Sequence, residues 1–219
     1  MTTVARRGWL GGTFDPIHNG HLDVARAAHA SLGLERVTLV PSRIPPHRPQ
    51  PFASATDRAE MARLAAVEPW LEVSTIELDG QGPSYTATTM DRLDALGVDL
   101  NSLVVITGAD AFVGILSWHR VDELLDRVSF AVVSRPGHPA PALRGALPAL
   151  ASRMVSTDAW PGSSQPCIVL VDAPTAPVSS TMVRAAVAAG QSLSGLVPDA
   201  VEAYIAAHGL YGTLKELHE

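Results

Sequence analysis

Short apolar runs alternate with stretches of helical period along most of the chain, the pattern of βα units laid around a parallel sheet. Ser102–Thr107 and Ser129–Ser134 are the clearest buried strands, continuous apolar runs bounded by turn residues. Val37–Val40 and Ile168–Val171 read as two more. Val4–Leu10 is a weaker first strand, because Arg6, Arg7 and Gly8 lower its β propensity. Leu71–Leu78 reads as extended, up to a Gly-Gln-Gly-Pro turn. Between these runs, the spacing predicts a helix over Asn19–Leu32, with Leu22, Ala25, His29 and Leu32 on one face and Gly33 at the C-cap. Asp57 with Glu60 three residues on predicts a capped helix through Val67, and another runs from Tyr85 to Leu96. Ser180–Ala189 and Pro198–His208 form a C-terminal helical segment, the second placing Val201, Tyr204, Ile205 and His208 on one face. Pro41–Ala55 is a proline-rich loop or lid, and His138–Gln165, rich in Pro, Ala, Gly and Ser, shows no clear period. The expectation is an α/β fold, with a parallel sheet and one domain spanning residues 1–219, its helical C-terminal part beginning at 179.

Composition narrows the chemistry. At 219 residues with 47% hydrophobic and 17% charged, the chain can bury a sizeable core and is not intrinsically disordered. A lone cysteine, Cys167, excludes an internal disulfide framework and a multi-cysteine zinc site. Of the 16 Lys+Arg only Lys215 is lysine, which removes Schiff-base chemistry on a core lysine, and no G-K-[ST] tripeptide of a P-loop is present. A net charge of −6 speaks against coating nucleic acid, though not against a local anion site. No segment approaches a membrane span and no signal-peptide core follows Met1–Arg7, so a cytoplasmic protein without membrane or nucleic-acid partners is expected.

The densest chemistry lies in Gly11-Gly12-Thr13-Phe14-Asp15-Pro16-Ile17-His18-Asn19-Gly20-His21. Paired glycines let a ligand lie against backbone, and a helix starting near Asn19 offers free N–H groups and the positive end of its dipole. His18 and His21 share the face of that first turn. Two imidazoles beside exposed amides suit phosphate oxygens and charge developing in a transition state. Ser180 and Thr181, with Arg184 one turn in, open a second such helix. Gly108 and Asp110 follow a buried strand at its carboxyl end, where ligands of open α/β sheets bind.

These segments resemble the H-x-G-H nucleotidyltransferase superfamily and, within it, the bacterial nicotinate-mononucleotide adenylyltransferases. The likeness rests on G-G-T-F-D-P-x-H-x-G-H together with Pro45-Pro46-His47-Arg48, Ser84-Tyr85-Thr86, Gly108-Ala109-Asp110 and Trp118. It continues in Ser134-Arg135-Pro136-Gly137, Ser179-Ser180-Thr181-Met182-Val183-Arg184, Val197-Pro198 and His208-Gly209-Leu210-Tyr211, and so covers nearly the whole chain. It implies a Rossmann-like, doubly wound fold and transfer of the adenylyl group of ATP to nicotinate mononucleotide. His18, His21 and Arg184 would then serve catalysis. ATP would meet Gly11, Gly12, Thr13, Phe14, His18, His21, Gly108, Asp110, Ser180, Thr181 and Arg184. Nicotinate mononucleotide would meet Asp15, His47, Arg48, Ser84, Tyr85, Thr86, Trp118, His119 and Arg135, with Trp118 stacking on the pyridine ring. Mg²⁺ would arrive with ATP and take no protein ligand, and a homo-oligomer stays open. The competing readings are an enzyme that accepts nicotinamide mononucleotide as well or instead, and a non-catalytic nucleotide sensor on the same fold.

Overall fold

Seven strands pair into one sheet in the order β3-β2-β1-β4-β5-β7-β6, every neighbouring pair parallel. The structure is a computed structural model and describes residues 6–44, 50–80, 82–162 and 165–212. The strands are β1 (Arg7–Gly12), β2 (Arg36–Pro41), β3 (Leu71–Val73), β4 (Leu103–Gly108), β5 (Ser129–Val133), β6 (Met154–Ser156) and β7 (Ile168–Val171). The helices are α1 (Asn19–Leu32), α2 (Ala55–Ala65), α3 (Thr86–Ala95), α4 (Ala109–Phe112), α5 (Val121–Arg127), α6 (Leu143–Ala146), α7 (Ser180–Ala188) and α8 (Asp199–Ala207).

Alternation along each strand sorts the core into two layers. Leu10, Ile106, Val133 and Val171 face one layer, which receives Leu22 of α1, Met61 of α2, Val183 of α7 and Val201 of α8. Their neighbours Trp9, Val105, Val132 and Leu170 face the other, which receives Met90 of α3, Phe112 of α4, Leu124 of α5 and Leu143 of α6. The sheet is therefore doubly wound, with the C-terminal helices on the α1 face.

Some local expectations shift. Of the first strand as expected from sequence, Val4 and Ala5 lie outside the described residues; β1 runs on past the expected end at Leu10 through Gly11 and Gly12, which pair with Val40 and Pro41 of β2. It lies between β2 and β4, where Gly8 is tolerated since a Cβ there would stand 2.6 Å from Ile106 Cδ1 and 2.9 Å from Leu34 Cδ1. Ser54, not Asp57, is the N-cap of α2: its Oγ accepts from the Asp57 N–H at 3.1 Å and donates to the Asp57 carboxylate at 2.6 Å. The strand expected to reach Leu78 ends at Val73, and Leu78 N–H bonds back to Thr75 O at 2.8 Å in a turn. The patternless stretch after His138 holds α6, short 3₁₀ turns and the edge strand β6. On α1, Gly33 caps in the left-handed region, while His29 is half-buried and stacks on Trp70 with ring centroids 4.0 Å apart.

Candidate active site

From β1 the chain crosses through α1 to β2 on one side, and from β4 through α4 and α5 to β5 on the other. The connections diverge between β1 and β4, and a crevice opens outside the carboxyl ends of such strands. The glycine loop leaves β1 there, and Gly108 leaves β4. Gly11 is exposed, with nothing within 4 Å of the place a Cβ would take. Gly12 is confined instead, because a Cβ would come within 2.7 Å of the Phe14 ring. Phe14, buried and in the left-handed region at φ 50°, meets His21 edge-on with centroids 5.0 Å apart.

His18 occupies the N-cap position of α1 in extended conformation. Its backbone N–H donates to His21 Nδ1 at 3.3 Å, and the two rings stack at 3.7 Å. The His18 side chain is buried, and its Nδ1 has no hydrogen-bond partner. Burial first, and the Arg135 guanidinium second, push its pKa down to about 3. At neutral pH the ring is uncharged and can act on a ligand as a hydrogen-bonding dipole.

Arg135 donates to Gly20 O and to Val178 O, both at 3.0 Å. It passes where a Cβ on Gly20 would come within 2.8 Å of Nη1, and one on Gly108 within 3.0 Å of Cγ. The glycine of H-x-G-H thus makes room for an arginine from β5's end. This sets Arg135 beside His18.

At the start of α7, Ser179 is the N-cap, accepting from Met182 N–H at 3.2 Å. Ser180 Oγ donates to Pro16 O at 2.9 Å, so the helix start is bonded directly to the glycine loop. Arg184 donates to Asp15 O at 2.6 Å and to Thr181 Oγ1 at 3.2 Å, and lies over the Phe52 ring at 4.6 Å. The Asp15 carboxylate, expected among the acceptor contacts, is taken up internally. It accepts from Phe52 N–H at 2.8 Å, Ala53 N–H at 3.0 Å and Tyr211 Oη–H at 2.9 Å, and the residue is buried.

The structure also gathers part of the expected acceptor side. Tyr85, at the N-cap of α3, meets His119 with ring centroids 4.5 Å apart. Ser84 is tied to the exit of β2: its Oγ accepts from Arg43 N–H and its N–H donates to Ile44 O, each at 2.9 Å. Thr86 opens α3, and half-buried Trp118 sits at the edge of the core, edge-on to Phe130 at 6.4 Å. Asp110 is exposed beside Gly108. His47 and Arg48 lie outside the described residues.

Several residues carry no mark of their role in the sequence. Arg58 is fully buried under the glycine loop. Glu77 is buried behind Ser84 and accepts from Thr89 Oγ1–H at 2.7 Å, burial pushing its carboxyl up. Beside Arg135, an open cavity of about 450 Å³ is lined by Ser134, Gly137, Asp172 and Thr175 among others. Only the last has a sequence signal, two strand ends side by side.

Comparison with known proteins agrees with this geometry. The model of the cytidylyltransferase-like family matches residues 9–186. A protein of Pseudomonas syringae pv. tomato named "Probable nicotinate-nucleotide adenylyltransferase" is 41% identical over 215 residues, covering 96% of each chain. One of the same name from Saccharopolyspora erythraea is 41% identical over 213 residues, 96% of this chain and 92% of the other. Among solved structures, Plasmodium falciparum nicotinic acid mononucleotide adenylyltransferase complexed with NaAD shares the fold. Its TM-score is 0.73 over 94% of this chain and 97% of its own, at 15% identity. The chain belongs to the cytidylyltransferase-like family and, within it, to the nicotinate-nucleotide adenylyltransferases.

Proposed function

We propose that the protein transfers the adenylyl group of ATP to nicotinate mononucleotide, giving nicotinate adenine dinucleotide and pyrophosphate. The observation that carries the site reading is the His18 ring: buried, uncharged, with an unpartnered Nδ1 beside the Arg135 guanidinium at the start of a long helix. A buried polar atom without a partner costs stability unless a ligand supplies one, and a phosphate oxygen in that place would do so. An acceptor 5′-phosphate oxygen attacks the α-phosphorus in line as the α–β anhydride bond breaks and pyrophosphate leaves. No covalent nucleophile on the protein is required, so catalysis is orientation and charge stabilisation.

In this reading Gly11 lets the triphosphate lie against backbone, His18 and His21 hold the α- and β-phosphates, and the α7 start with Arg184 and Thr181 restrains the pyrophosphate end. Asp110 serves the donor's ribose, and Ser84, Tyr85, Thr86, Trp118 and His119 receive the pyridine nucleotide. The hydroxyls at the N-terminus of α3 favour a carboxylate over a carboxamide there. When bound, Mg²⁺ on the phosphate oxygens would neutralise charge on the leaving pyrophosphate. We assign it to the phosphate oxygens and water, because Mg²⁺ keeps much of its hydration. We read residues 1–219 as one domain. No helix among the described residues is long and apolar enough to cross a membrane.

The test is pyrophosphate release from ATP and Mg²⁺ with each mononucleotide. Nicotinate mononucleotide should turn over at least tenfold more efficiently than nicotinamide mononucleotide. Equal efficiency would remove the acid selectivity, and no turnover with either would remove the activity.

A further inference from the structure

The largest wholly buried side chain is an arginine, Arg58, on α2. A guanidinium in that position needs acceptors for its N–H groups, and it finds them in backbone carbonyls from three segments. Nη1 donates to Thr13 O at 2.6 Å and Ser42 O at 2.7 Å, Nη2 to Arg43 O at 3.3 Å, and Nε to Ala53 O at 3.3 Å. Thr13 belongs to the glycine loop that leaves β1. Ser42 and Arg43 begin the segment that leaves β2, and the N–H of Arg43 holds Ser84 Oγ at the start of α3. A continuous run of bonds therefore leads from the donor-side loop, through one guanidinium, to the acceptor-side hydroxyls. Burial lowers the proton affinity of the guanidinium, and the neighbouring Asp15 carboxylate opposes that by favouring the charged form.

We propose that Arg58 is a positioning residue for adenylyl transfer: its buried fork clamps the glycine loop to the exit of β2 and so fixes the distance and angle at which the two substrates meet. It touches neither substrate. A planar fork of five donors can serve four carbonyls spread over three segments, whereas an ammonium on a flexible stem cannot hold the same spread. Loss of the clamp lets the two loops drift, and a misplacement of about 1 Å between reacting groups can cost about a hundredfold in rate. Each substrate bound alone meets contacts on its own side of the crevice, so its binding is spared.

This inference rests on the activity proposed above. Its experiment compares wild type, Arg58→Lys and Arg58→Gln in three measurements: thermal midpoint, Kd of ATP alone by calorimetry, and kcat with ATP and nicotinate mononucleotide. Rates are taken well below each protein's midpoint. The expected result is a kcat lowered about ten- to a hundredfold in both variants, with the ATP Kd within about threefold of wild type. A purely structural role would lower the midpoint and leave kcat of the folded enzyme unchanged, which overturns the assignment. Loss confined to the ATP Kd overturns it as well, and so does failure of both variants to fold. An inactive wild type fails the activity reading itself, whereas an active wild type with equally fast variants fails only the role of Arg58.

Discussion

His18 shows how one side chain can be costly to the fold and useful to the chemistry. Its proton affinity in the unfolded chain is near 6.5 and in the folded protein about 3, so between those pH values the unfolded state binds the extra proton. The stability linked to this ring is fully present above about pH 6.5 and is lost as pH falls toward 3. Asp57 and Asp91, whose carboxyls are held low by Ser54 and by Arg120 and Arg127, add their own loss in more acidic solution. His18→Asn separates the contributions. The difference in urea-unfolding free energy between wild type and this variant should shift against wild type as pH drops from 7 to 5, and a difference independent of pH would contradict a neutral buried ring. Sequence spacing alone places His18 and His21 on one turn, because a helix start makes residues three apart neighbours. It cannot assign Asp15, whose carboxylate is claimed by partners 37, 38 and 196 positions away.

Among the elements, β1 is packed closely against the side chains around it. Its Gly8 faces Ile106, Leu34 and Val37 at distances a methyl group would bring to between 2.6 and 3.1 Å. Those neighbours are ends of side chains and can move, so Gly8→Ala should destabilise by about 1–3 kcal/mol, read as a lower urea midpoint with an unchanged slope. A wild-type midpoint would show that the three side chains repack without strain. The same glycine explains why the strand reads weakly from sequence. Propensity counts residues one at a time, while β1 is made a strand by the partners on both its edges. The runs of β4, β5 and β7 are easier to read, because they are apolar on both faces and announce themselves. The edge strand β6 has three residues and only β7 to define it, so no local pattern marks it. Arg58 is hidden for a related reason, since an arginine on a short polar helix reads as a solvated one.

Across the whole molecule, the end of the described chain returns to its beginning. Helix α8 packs on α2, where Tyr204 Oη–H donates to Asp57 at 2.9 Å, and beyond it Tyr211 reaches Asp15 in the glycine loop. Burial, then the Asp15 carboxylate, push the Tyr211 phenol up, so it remains the donor across the ordinary pH range. Tyr211→Phe should cost about 1–3 kcal/mol of stability, measured by urea unfolding, because Asp15 keeps its charge and loses a donor. An unchanged midpoint would mean that water replaces the hydroxyl. The two layers of the core have a wider consequence. The helices α1 and α7, which the proposed reading gives to the nucleotide donor, rest on one face of the sheet, while α3 and Trp118, which it gives to the acceptor, rest on the other. In the proposed reading, substitutions behind α3 and Trp118 would alter the acceptor chemistry with little disturbance to α1 and α7, because the sheet stands between them as a partition.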